Sequence, residues 1–235
     1  MASWITHMMI ADSVLAKISL LDRRGFCVGN VAPDCNIENK DWTAFVPSRE
    51  ETHWMSGDRK GVSDCERFWK SCIENKRFES DEERSFYLGY YSHLVADARF
   101  QKFTRDELRV ANMMARIRSN PDMASRMSGR AYDYDEIKRV FSKKERLRDV
   151  AAMEYEYLQK YPQSGYLTVL RVLSDFPDYL ENFPKGAVVR KMGVMATLPE
   201  AVKDAEFVFI TREEYDEYVR GTVSAICEKL KAYFE

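Results

Sequence analysis

No run of about eighteen consecutive apolar residues occurs in the sequence, so no membrane span is expected. Charge of one sign is not in excess either: 36 Lys and Arg stand against 38 Asp and Glu, a net charge of −2. That balance argues against a general nucleic-acid binder, which would show a basic excess or stripe. The five cysteines, Cys27, Cys35, Cys65, Cys72 and Cys227, form an odd set with no CxxC pair. Reduced thiols are the simpler account, and Cys65 and Cys72 read as packing residues. There is no glycine-rich phosphate loop, no GxSxG elbow and no Cys–His pair with a local signature. Proline is scarce and clustered, and the proline-free intervals 48–120, 122–161 and 200–235 leave room for helices.

What is present points to helices. Apolar residues make up 45% of the 235, enough for a sizeable core, and no repeat or linker divides the chain. A single domain over 1–235 is therefore expected. The first residues, MASWITHMMIADSVLAKISL, lack a basic leader and carry Asp12 within their apolar stretch. They read as a mature amphipathic helix and not as a signal peptide, which implies a cytoplasmic protein. Ser63/Glu66, Ser80/Glu83, Thr104/Glu107 and Thr211/Glu214 each fit the capping-box pattern that opens a helix. Helices are expected near 4–21, 64–76, 81–101, 105–118, 135–160, 165–174 and 212–233. A long irregular connection lies between the first two. Connections of that length in compact domains are functional or disordered, and Trp42, Phe45, Val46 and Trp54 favour an ordered loop packed on the helices. A minor β-ribbon is expected near 187–211, where FVFIT stands.

The stretch FYLGYYSHLVADARF, residues 86–100, is apolar on almost every side, so its helix is expected inside a bundle. His93 and Asp97 project from it one turn apart on the same face. A buried carboxylate is costly unless a cation lies against it. The chain has three histidines, His7, His53 and His93. His7 shares a helix face with Ile10, Val14 and Ile18, and His53 closes the long loop that also carries Asp34. Imidazole nitrogens and carboxylate oxygens together suit zinc, manganese or iron. An internal polar network holding the helix in place is the alternative from these residues alone.

The elements WITHMMIA, GNVAPD, THW and FYLGYYSHLVAD, in that order over residues 1–103, resemble the zinc-dependent phospholipase C family, in particular its short bacterial branch. That resemblance implies an all-α multi-helix bundle with up to three zinc ions. By position it implies His7 as the first-helix ligand, Asp34 as the loop aspartate and His53 as the histidine closing that loop. His93 and Asp97 look like the family's HxxxD pair, whose aspartate bridges two metals. The sequence departs from the family in two respects. Trp4 is internal and reads as packing, whereas the secreted enzymes use a mature N-terminal tryptophan. No histidine comes after His93, so a site of one or two ions is expected: Asp34, His53, His93 and Asp97, with His7 and bridging Asp97 as a weaker second.

The resemblance further implies a metal-dependent hydrolase of phosphoesters, with a small phosphoester or a phospholipid headgroup as substrate. Zn2+ is the expected cofactor, with Fe or Mn as alternatives. Glu51, with Glu50 beside it, and Arg99 are possible catalytic helpers, as are Lys102, Arg130 and Tyr132. The alternative is a non-enzymatic helical module in which a reduced metal site is structural or sensory and the surface binds a partner.

Overall fold

A computed structural model describes residues 2–41, 43–55, 61–131, 133–202 and 205–235. Trp42 and Tyr132 lie outside the described residues. The order begins with α1 (Trp4–Leu15), α2 (Arg23–Gly29), a 3-10 turn (Ala32–Asp34), β1 (Ile37–Glu38) and β2 (Phe45–Val46). It continues with α3 (Arg49–Thr52), α4 (Cys65–Cys72), α5 (Asp81–Arg105), α6 (Glu107–Ser119), α7 (Pro121–Met127) and α8 (Tyr134–Val140). The chain closes with α9 (Lys143–Arg146), α10 (Arg148–Lys160), α11 (Gly165–Thr168), α12 (Ala187–Met195) and α13 (Arg212–Phe234). The architecture is all-α. Among the described residues no helix is long and apolar enough to cross a membrane.

The central element is α5. Residues on all its faces are buried, among them Phe86, Leu88, Tyr90, Tyr91, Leu94, Ala96 and Phe100, because other helices cover it on several sides. The closest of these is α2. A Cβ placed on Gly29 would lie 2.0 Å from the Phe86 carbonyl oxygen, and one on Gly89 would lie 2.3 Å from that of Phe26. Only glycine at both positions lets the two backbones come so near. Helices α1 and α13 pack on the same helix, and Tyr218 of α13 donates its hydroxyl to the Ala96 carbonyl at 3.0 Å.

The capping pattern in the sequence marks some helix starts and misses others. Thr211 forms the reciprocal box with Glu214, and the Ser80 hydroxyl accepts from the Glu83 amide. The Glu83 carboxylate instead accepts from the Glu79 amide. Asp64, not Ser63, caps α4, and Asp106, not Thr104, caps α6, because each aspartate stands nearer the first free amides. Two further boxes are formed, by Ser48 with Glu51 and by Ser142 with Glu145. Ser142 and its neighbours also break the expected helix 135–160 into α8, α9 and α10. The first expected helix, 4–21, ends at Leu15, and Asp22 caps a new one.

The β-ribbon lies elsewhere than expected. Ile37 pairs with Val46 and Glu38 with Phe45, antiparallel, inside the long loop. In 187–211 the described residues contain α12 and no strand. Val208, Phe209 and Ile210 are buried as a strand's would be. The amides of Phe209 and Ile210, however, donate to Asp149 Oδ2, at 2.8 and 3.1 Å, so a side chain satisfies them in place of a partner strand. All five cysteines are free thiols; Cys65 and Cys72 are half-buried and pack at the core's edge.

Candidate metal centre

Four separate elements deliver the five side chains singled out by the sequence. Helix α1 carries His7, the 3-10 turn ends on Asp34, His53 caps the C-terminus of α3, and α5 presents His93 and Asp97. The structure brings all five together. His53 Nε2 lies 3.3 Å from Asp34 Oδ1 and 3.7 Å from Asp97 Oδ2; His7 Nε2 lies 3.6 Å from Asp97 Oδ1. His7, His53, His93 and Asp97 are fully buried, and Asp34 is less so. Two triads have ligand atoms close enough to share an ion: His7, His93 and Asp97, and Asp34, His53 and His93. His93 is the residue common to both, in place of Asp97, which the resemblance puts in the bridging position.

The hydrogen bonds around the imidazoles decide where their lone pairs go. His93 Nδ1 is 2.9 Å from the Asn30 carbonyl oxygen, which can only accept, so this nitrogen carries the proton and Nε2 is bare. The Thr52 hydroxyl lies 2.9 Å from His53 Nδ1 and 3.3 Å from the Arg49 carbonyl, and so holds the His53 ring in place. His93 Nε2 faces His53 Nε2 at 3.2 Å, and His53 Nε2 lies 3.3 Å from Asp34 Oδ1, so ligand atoms of three residues converge where an ion could sit. His7 stacks on His93, ring centres 3.9 Å apart, and neither of its nitrogens has a hydrogen-bond partner. Leaving a buried polar group unpaired costs about 1–3 kcal/mol. Three buried imidazoles, with both His7 nitrogens unpartnered, beside two carboxylates form a donor set that fits Zn2+.

Burial opposes the charged forms of both aspartates. It is outweighed: the His53 hydrogen bond and the nearby His93 hold Asp34 well below the usual carboxylate range. At Asp97 the adjacent His7 imidazole, 3.6 Å away, and His93 do the same. Burial, with His7 alongside, pushes His93 down to about 3 from an ordinary 6.5. The unfolded chain therefore takes up a proton on His93 below about pH 6.5 that the folded chain refuses until about pH 3. Both aspartates act in the same direction at lower pH. Chelator-treated protein is expected to lose thermal stability as pH falls from 6.5 toward 4, and His93→Gln should flatten that part of the melting profile.

Three contacts around the cluster carry no signal in the motifs that mark it. Arg49 places Nη1 3.3 Å from Asp34 Oδ1 and Nη2 3.0 Å from Asp97 Oδ2. It is four residues before His53 on one short helix, a spacing that could have pointed to it. Trp4, expected as packing only, donates its indole Nε1 to Asp34 Oδ2 at 3.1 Å and so orients that carboxylate. Glu154 of α10 is buried and accepts from the Ser3 and Thr6 hydroxyls and, at 3.1 Å, from the Thr6 amide. This ties α10 to the turn of α1 that holds His7.

The expected helpers lie elsewhere. Glu51 closes its capping box with the Ser48 amide at 2.7 Å, and that bond holds its carboxyl low. Arg99 donates to the Thr222 hydroxyl and lines a different pocket with Lys102. Arg130 pairs with Glu136 at 2.7 Å. Instead, a pocket of about 450 Å3 opens beside the cluster, lined by Asp34, Arg49, Trp4, Phe45, Tyr166 and Lys191. Asp34 and Arg49 thus join the buried imidazoles to a cavity open to solvent.

Residues 6–99, a span that holds all five side chains, match the family model described as zinc dependent phospholipase C, which confirms the resemblance read from the sequence over that span. No curated protein and no solved structure matches the chain.

Proposed function

With residues 6–99 matched to the zinc-dependent phospholipase C family, we propose that this protein is a metal-dependent hydrolase of phosphoesters. His7, Asp34, His53, His93 and Asp97 hold one or two Zn2+ ions in this reading. The carrying observation is the convergence of His53 Nε2 and His93 Nε2, 3.2 Å apart, buried against two carboxylates whose outer edge reaches a pocket. A zinc ion bound there polarises a phosphoryl oxygen and lowers the pKa of water toward neutrality.

The remaining work falls to the chain's own groups. The Asn30 carbonyl fixes the His93 ring in the tautomer that presents Nε2 to the cluster, and the Thr52 hydroxyl at His53 Nδ1 orients the His53 ring. The Trp4 indole turns Asp34 so that Oδ1, not Oδ2, faces His53. The apolar walls of the pocket, Ile5, Phe45, Tyr166 and Met195, suit the organic part of an ester and exclude water from part of its surface.

A panel of phosphodiesters and phosphomonoesters tests the proposal. Hydrolysis of at least one member is expected, abolished by a chelator and restored by Zn2+. Hydrolysis that survives complete chelation would contradict it, as would no turnover of any member with zinc, manganese or iron across pH 5 to 9.

A further inference from the structure

Arg49 divides its guanidinium between two carboxylates, reaching Asp34 Oδ1 at 3.3 Å and Asp97 Oδ2 at 3.0 Å. These are the oxygens that His53 Nε2 also approaches, at 3.3 and 3.7 Å. The cation therefore rests on the carboxylate of each candidate triad. Asp97 is sealed, at 1% side-chain exposure, whereas Arg49 is 29% exposed and lines the pocket with Lys143 and Lys191.

The charge balance of the cluster depends on the metal. Asp34 and Asp97 supply two negative charges and Arg49 one positive, so these three groups leave the cluster at −1. One divalent ion reverses the balance to +1. The ion and the guanidinium then repel each other across a few ångströms, and the site draws an anion. Phosphate fits the planar fork of arginine through two parallel hydrogen bonds.

We propose that Arg49 serves the site as an alternating cation: it neutralises Asp34 and Asp97 before metal arrives, then yields those oxygens to the ion and takes a phosphoryl group in the pocket. The inference rests on the metal-site reading above. It assigns the binding of substrate phosphate to Arg49, and not to Arg99, Lys102 or Arg130, the candidates that the sequence offers.

Two titrations on the wild type, Arg49→Gln and Arg49→Lys test it. Zinc affinity comes first, by competition with a chromophoric chelator. Removing the competing charge should tighten zinc binding by roughly tenfold or more in Arg49→Gln, the scale of like-charge repulsion at a high effective dielectric. Arg49→Lys, which keeps the charge, should stay near the wild type and guards against a folding defect in the first variant. Binding of inorganic phosphate to the zinc-loaded proteins comes second, and Arg49→Gln should weaken it by about tenfold or more. Glycerol 3-phosphate and micelles of a short-chain phosphatidylcholine are titrated in parallel, to separate a free phosphoester from a lipid headgroup. Dependence on Arg49 with any of the three probes supports the phosphate role, and dependence with none overturns it. Unchanged or weaker zinc binding in Arg49→Gln makes Arg49 an ordinary hydrogen-bond donor to the ligands and overturns the alternation, with the metal site intact. No zinc in any of the three proteins overturns the metal reading as well.

Discussion

His93→Ala should cut zinc affinity by at least about 100-fold and abolish phosphoester hydrolysis with it, a larger effect than the 10–100-fold typical of losing a residue that merely supports a ligand. His93 is the side chain common to both triads, so its loss opens both at once. Its imidazole also stacks on His7 and faces His53 Nε2 at 3.2 Å, so its loss removes a neighbour of both. The stability effect should depend on zinc. At free zinc about 100 times the dissociation constant, a bound ion adds about 2.7 kcal/mol to the native state, and the variant loses that increment. Metal content by elemental analysis, together with melting temperatures with and without zinc, separates the two contributions. Equal zinc in the variant and the wild type would remove His93 from the site.

Gly29→Ala should destabilise the protein by about 3 kcal/mol, the upper range for overpacking a tight contact. Helix propensity alone predicts the opposite sign, since alanine is better than glycine in a helix by up to about 1 kcal/mol. The clash is larger. The new methyl would meet the Phe86 carbonyl at 2.0 Å, and backbone on backbone cannot turn aside as a side chain can. The helices α2 and α5 would have to part. Asn30, the residue after α2, would move with them, and its carbonyl is what orders the His93 ring. A fall in melting temperature of about 6–12 °C is expected by calorimetry for a chain of this size, with weaker zinc binding alongside. An unchanged or raised melting temperature would show that the interface relaxes cheaply.

Local spacing carries much of the site into the sequence. His93 and Asp97 stand one turn apart on a helix too apolar to be exposed, and that pattern alone locates the buried charge. The loop residues Asp34 and His53 are joined to them only by resemblance, because nothing in residue spacing states how a loop of this length folds back. Arg49 stands one helical turn before His53, but that spacing does not state what it pairs with, because its carboxylate partners lie 15 and 48 residues away. Trp4 and Glu154 are hidden for the same reason: their partners are 30 and about 150 residues away. The ribbon is misplaced by the sequence because the apolar FVFIT run resembles a strand, while its amides are in fact satisfied by Asp149, which no local rule could pair with it.

Crystals grown from zinc-equilibrated protein, measured by anomalous diffraction at the zinc edge, test the central claim most directly. The account predicts an anomalous peak at about 2.0–2.1 Å from His93 Nε2, with His53 and Asp34 or His7 and Asp97 completing its coordination. A zinc peak only at surface residues, or none, with Arg49 still spanning Asp34 and Asp97, would contradict it.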